Sequence, residues 1–320
     1  MWKPLLVSIV IFTIQGQLCL SRQPGCPQPE DIYPCSCSIL RNQKGTLKCK
    51  NLSRDEDFKN VIESSKEHIF EEVILQNSNL QYLPHHLFED VETRILILEN
   101  LKLKKVFDLQ PRAGRKPEEL VVENVGVQSG SIWEILQPLE NLRTLDVVQM
   151  RMRTVGKNFS QLVTENLHSF YFNNTDTEII ETGTFDKFTN LRDLAFFKGS
   201  IKKLEREMFP TPFNVDYLAF DYQKLTEIQE GLFTNMPNLK LLSLIGNQIA
   251  TIPEKAFDSN YHFYNFYLND NPIKCDCRFK WIVFKNVPAL GTCASPKSLQ
   301  GRPLNHISKA EFYMCKNSSK

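Results

Sequence analysis

Nine cysteines, six histidines and four Asn-x-Ser/Thr tripeptides are the residues of this 320-residue chain whose type and spacing could direct chemistry. The densest group is NPIKCDCRFKW, residues 271–281, where Cys275 and Cys277 stand one residue apart. Two thiols so placed cannot bond each other without strain. They hold a metal, form a redox centre, or each staple a different distant segment. Zinc fits poorly, because its usual cysteine pairs have wider internal spacing and the outer spacings here are unequal. The histidines (His68, His85, His86, His168, His262, His306) show no zincin spacing, and His85-His86 reads as a pair of exposed turn residues. There is no Gly-x-Ser-x-Gly elbow, phosphate loop or glycosidase-like acid pairing, so no catalytic residue, metal or cofactor is expected.

The opening MWKPLLVSIVIFTIQGQLCLSR has one Lys, an apolar run over Leu5–Ile14 and a small-residue exit. It reads as a secretory signal peptide spanning 1–21, the run being well short of the roughly 20 residues a membrane span needs. Its removal takes away Cys19 and leaves eight cysteines in two groups: Cys26, Cys35, Cys37, Cys49 and Cys275, Cys277, Cys293, Cys315. In an oxidising compartment these read as two stapled caps, with three pairings open in each. Lys+Arg (38) balances Asp+Glu (37), so no global field favours nucleic acid or an anionic membrane. The expectation is a secreted, extracellular protein with no membrane span. The sequons at Asn51, Asn158, Asn173 and Asn317 then make it a candidate glycoprotein, with Asn158 and Asn317 expected in loop and tail.

Between the cysteine groups the sequence repeats. Apolar pairs one residue apart (Val73/Leu75, Leu96/Leu98, Leu120/Val122, Leu145/Val147, Phe170/Phe172, Leu194/Phe196, Leu218/Phe220, Leu242/Leu244, Phe266/Leu268) recur every 23 to 25 residues. Further apolar positions follow in most units, as Leu80/Leu83, Leu225/Ile228 and Ile249/Ile252, and Phe88, Phe185, Phe209, Phe233 and Phe257 close several of them. Each pair predicts a short strand with both side chains inward, and the later positions predict an arc wedged into the same interior. One such coil cannot bury its apolar face alone; nine stacked coils can. No segment between strands is long and periodic enough for a regular crossover helix. In the leucine-rich repeats that these units resemble, an inward Asn stands three residues after each pair, yet here only Asn247 and Asn271 do so; Ser78, Leu101, Val125, Met150, Thr175, Gly199 and Gln223 occupy the others. Asn77, Asn100, Asn124 and Asn174 fall one position earlier, so the first two-thirds should be less regular.

This pattern resembles the leucine-rich repeat. Open solenoid ends expose core, and Cys275 and Cys277, expected to alternate on a strand after the last repeat, could each pull a different segment over that end. The run from Asn271 through Cys275, Cys277, Trp281, Cys293, Pro296, Leu299 and Gly301 to Cys315 resembles the C-terminal cysteine cap of extracellular leucine-rich-repeat proteins, secreted arthropod ones among them. Cys26 to Cys49 resembles their N-terminal cap. The resemblance implies pairing of first with third and second with fourth: Cys26–Cys37, Cys35–Cys49, Cys275–Cys293 and Cys277–Cys315. The expected fold is an α/β-type leucine-rich-repeat solenoid. It has a curved parallel β-sheet on the concave side, irregular or 3-10 convex arcs, and disulfide-stapled caps. Its expected parts are a cap over 22–68, repeats over 69–272, a cap over 273–315 and a tail over 316–320.

Side chains flanking each inward pair point out of the concave face. They mix acids with Ile, Val, Phe and Tyr, the composition of a protein-docking surface. The candidate partner-binding residues are Glu99, Glu123, Asp146, Tyr171, Phe197, Tyr217, Asp221, Ile245 and Tyr267. Asn173 should point from the middle of the same sheet. The function read from this is binding of an extracellular protein on the concave face. Two other readings are a scaffold for the catalytic subunit of a secreted, luciferase-like complex, and an extracellular-matrix or glycosaminoglycan binder. The basic run PRAGRKP, 111–117, serves the last, although Glu118 and Glu119 dilute its charge and favour a solvated loop.

Overall fold

The computed structural model describes residues 23–114, 116–259 and 261–315. The expected signal peptide, Asn317 and the 316–320 tail lie outside them. Strands β1 (Ser36–Ile39) and β2 (Gly45–Lys50) form an antiparallel hairpin. Parallel strands then stack on it in chain order: β3 (His68–Gln76), β4 (Glu92–Glu99), β5 (Glu119–Glu123), β6 (Thr144–Val148), β7 (Ser169–Asn173), β8 (Asp193–Phe197), β9 (Tyr217–Asp221), β10 (Leu241–Ser243), β11 (Asn265–Tyr267) and β12 (Ala289–Leu290). The inward pairs are buried on every coil, as are the arc positions Leu83, Leu225 and Ile249 and the closing Phe88, Phe185, Phe209, Phe233 and Phe257. In the middle coils the interior is aromatic. Phe172, Phe196 and Phe220 stack nearly parallel, with centroids 4.4 and 5.4 Å apart.

The displaced asparagines have a different job from the inward one. In each of the nine coils the residue two after the inward pair has positive φ: Asn77, Asn100, Asn124, Gln149, Asn174, Lys198, Tyr222, Gly246 and Asp270. Asparagine tolerates that left-handed corner better than most residues. Its amides also form an external ladder, Asn124 Nδ2 donating to Asn100 Oδ1 at 2.7 Å and Asn100 Nδ2 to Asn77 Oδ1 at 3.2 Å. Gly246 is special because Tyr222 lies over it; a Cβ there would meet the ring at 2.3 Å.

Where the inward Asn is missing, short backbone ladders join the coils instead. Asn79–Leu80, Lys102–Leu103 and Gly126–Val127 form one three-stranded sheet, and Thr154–Val155 pairs with Ile179–Ile180. Ser78 Oγ accepts from the Leu52 N–H at 3.0 Å, and Thr177 Oγ1 donates to the Met152 carbonyl at 2.9 Å. Later coils use side chains. Asn247 and Asn271 accept from the Leu225 and Ile249 N–H groups, and Gln223 does the same for Ile201 at 3.1 Å. Gln223 also donates to the Phe196 carbonyl at 3.1 Å. These bonds satisfy buried backbone that would otherwise carry a desolvation cost.

The caps close both ends. The four disulfides are Cys26–Cys37, Cys35–Cys49, Cys275–Cys293 and Cys277–Cys315. Cys275 and Cys277 do not alternate on a strand. They fall in the irregular bend leading to the helix Lys280–Phe284, where the turn rather than β pleating separates them. Trp281 of that helix is buried and donates to the Ile252 carbonyl at 2.9 Å. The first cap contains an 11-residue helix, α1 (Asp55–Ser65), burying Phe58, Val61, Ile62 and Ser65. That spacing of three and four was present in the sequence, and three acids in its first turn suit the helix dipole. No helix among the described residues is long and apolar enough to cross a membrane.

Candidate partner-binding face

Strand register arranges the outward side chains of the concave face in three columns. The first holds Glu72, Ile95, Glu119, Thr144, Ser169, Asp193, Tyr217, Leu241 and Asn265. The central column holds Ile74, Ile97, Val121, Asp146, Tyr171, Ala195, Ala219, Ser243 and Tyr267. The third runs Gln76, Glu99, Glu123, Val148, Asn173, Phe197 and Asp221, continued past the strand ends by Ile245 and Asn269. Seven of these side chains are acidic, and none is Lys, Arg or His.

The acids differ in how they are satisfied. Glu119 lies 3.4 Å from the Arg94 guanidinium, which reaches in from the strand edge. Asp193 accepts from Ser169 Oγ at 2.9 Å and from the Tyr171 hydroxyl at 3.3 Å. Asp221 is a correction to the expected binding set. It is buried, 6% exposed, and accepts from Ser243 Oγ at 2.6 Å and the Ile245 N–H at 2.9 Å. Burial raises its pKa, those hydrogen bonds oppose the rise, and its carboxylate braces the β9–β10 step instead of facing solvent. Asp146 is the contrast. Its Oδ1 is buried without a hydrogen-bond partner, and burial, reinforced by Glu119, pushes its pKa up to about 6.

The phenols belong to the same electrostatic group. Burial pushes Tyr217 up to about 12, with further contributions from Asp221, Tyr171, Asp193 and Tyr267. Burial also raises Tyr171, helped by Asp193 and Asp146. Ala195 and Ala219 lie buried in the central column between Tyr171 and Tyr267. Glu99, Glu123, Phe197, Ile245 and Tyr267 are half-buried on the face, so register brings eight of the nine selected residues onto one accessible surface. Asp193 and Ser169 share this surface, since their positions two before the central column place them there.

Other candidates fall elsewhere. His85 and His86 are not freely exposed: their Nδ1 atoms lie 3.1 Å from Asp108 and 2.7 Å from Asp90. In the basic run, Arg112 pairs with Glu89 at 2.7 Å and Lys116 pairs with Glu118. Asn51 is exposed in a left-handed corner, and Asn158 is exposed on the short helix Lys157–Leu162 instead of a loop. Asn173 ends β7 on the concave face, in register with Phe197. Among the described residues no three His, Cys, Asp or Glu side chains gather as metal ligands.

Residues 213–273 match the leucine-rich repeat family. The chain is a leucine-rich-repeat solenoid with stapled caps. Along 96% of its length the solenoid is 21% identical to the Oplophorus-luciferin 2-monooxygenase non-catalytic subunit of Oplophorus gracilirostris, covering 93% of that protein. It is 26% identical over 42% of its length to leucine-rich repeat and fibronectin type III domain-containing protein 1 of Danio rerio, and equally so to the related protein 4 of Rattus norvegicus. Those two matches span 25% and 22% of the relatives' own lengths.

Proposed function

We propose that this solenoid is a secreted binding protein that docks an extracellular protein on its concave face and does no catalysis itself. One observation carries the reading: a continuous surface across nine coils joins half-buried tyrosines, Phe197 and Ile245 to acids, with no cation among its columns. Aromatic anchors surrounded by polar groups are where interface energy concentrates. Four disulfides fit an oxidising compartment. The likeness to a protein named as a non-catalytic subunit supports a second reading, in which the partner is the catalytic chain of a secreted complex. A glycosaminoglycan partner is disfavoured, because Arg112 and Lys116 are already paired and the concave face is acidic. The test is capture of partners from the source's extracellular fluid with the wild-type protein and with Phe197→Glu, followed by cross-link mapping. Cross-links should fall on β6–β11 and the variant should lose the partner. Retention by the variant, with cross-links on the arcs, would overturn the reading.

A further inference from the structure

The four best-placed acids of the central coils do not offer the same chemistry to a partner. Glu119 already has Arg94, and Asp221 is consumed inside the sheet by Ser243 and the Ile245 N–H. Asp193 holds Ser169 and Tyr171. Asp146 has no donor on its buried Oδ1. It sits beside Tyr171 in the central column, and the Tyr171 hydroxyl leans to Asp193 on the next strand. A phenol thus stands between two carboxylates, with Tyr217 adjoining them in the electrostatic group.

We infer that the concave face selects a protein segment bearing an arginine or lysine, whose cation is taken between Asp146, Tyr171 and Asp193. The inference rests on concave docking and names the partner's chemistry. Charge complementarity supports it: the columns hold seven acids and no cation. A half-buried carboxylate with no cation acting on it is costly in the free protein, and a cation docked against its open side would relieve that cost by charge without reaching the buried Oδ1. The neighbouring tyrosine adds a ring face, which attracts guanidinium and ammonium groups. An organic cation suits this aromatic setting better than calcium, which takes six to eight oxygen ligands.

The probe is a labelled peptide of alternating Arg and Thr, with Glu/Thr and Ser/Thr peptides as comparisons, read by fluorescence anisotropy at two salt concentrations. The Arg/Thr peptide should bind, weaken as salt rises, and outcompete the other two. Asp146→Asn and Asp193→Asn should each weaken it about tenfold, while Glu207→Gln on an arc should not. Asp146→Asn keeps the side-chain shape, so a melting curve verifies its fold. Equal binding of the Glu/Thr peptide, no loss in either Asn variant, or displacement of the Arg/Thr peptide by stoichiometric calcium would overturn the inference. If those results coincide with loss of the captured partner in Phe197→Glu, the docking surface stands and only the cation assignment falls.

Discussion

Gln223 occupies the space that Gly199 leaves: a Cβ on residue 199 would lie 2.4 Å from Gln223 Oε1. The longer amide reaches the Ile201 N–H and the Phe196 carbonyl only because the equivalent position one coil earlier has no side chain. Gly199→Ala should therefore cost about 1–3 kcal/mol, the usual range for forcing a methyl into packed space. Gln223→Ala should also destabilise by orphaning buried backbone. The double variant should lose less than the sum, because both act on one contact. Urea unfolding of the four proteins measures this; strict additivity would separate the two residues.

Asp146 should oppose folding at neutral pH. Its folded pKa of about 6 lies above the unfolded value, so the native state binds this proton more tightly. Stability from this group is full below the unfolded pKa of about 3.9 and is lost as pH rises through about 6. Glu119 on β5 reinforces the shift; Tyr171 on β7 and Asp193 beyond it supply no cation. Asp146→Asn should gain about 1–2 kcal/mol at pH 7.5, after discounting for solvent screening. The gain should vanish near pH 4. Melting curves across that range decide it, and a pH-independent difference would contradict the assignment.

Phe197→Glu combined with Tyr217→Ala should weaken partner binding by about 2 kcal/mol or more. Tyr217 is more than half buried, so its truncation also lowers melting. Phe197→Glu alone is the arm that leaves the fold least disturbed. Lys203→Glu, on an arc and paired with Glu205 at 2.6 Å, should leave binding unchanged. Isothermal titration against the captured partner gives the comparison.

A glycan on Asn173 would cover Phe197, its register neighbour on β8. Glycopeptide mass spectrometry of the secreted protein reads the occupancy. If the site is filled, enzymatic deglycosylation should raise affinity for a partner docking over β7–β8. An unchanged affinity would place that partner to one side of Asn173.

Removing the Cys277–Cys315 bridge, which closes a separation of 38 residues, should cost roughly 3–4 kcal/mol on the chain-entropy view. Cys277→Ser with Cys315→Ser should reduce secreted yield, since Trp281 and the last coil lie under that cap. Yield equal to wild type would show that the bridge is dispensable for folding.

The coil itself was legible because a strand has a period of two and an arc has none, so pairs such as Leu218/Phe220 stand out at a fixed spacing. The face was legible for the same reason: whatever alternates with Leu218 and Phe220 must point the other way. Burial on that face was not legible. Nothing within strand β9 marks Asp221 as buried; Ser243 and the Ile245 N–H, supplied 22 and 24 residues later by the next coil, make it structural, while Asp193 stays on the surface. The left-handed corner was hidden too, because Asn, Gln, Lys, Tyr, Gly and Asp all fill it. Helix α1 was harder to read, because its apolar face of Phe58, Val61 and Ile62 falls in one short stretch between Cys49 and the first repeat, with no second period to reinforce it.

The stacked rings also set the bend of the arc. Between the same two coils, Phe172 and Phe196 are 4.4 Å apart beside the sheet, whereas Phe185 and Phe209 are 6.2 Å apart beneath the outer arc. This pair of coils is thus wedge-shaped, thicker at the back, and the wedge angle there determines how far apart the neighbouring columns hold a bound chain. Residues that no partner can reach therefore act as the ruler for recognition: a smaller side chain at Phe185 would straighten the horseshoe and retune its inner spacing without altering one atom of the docking surface.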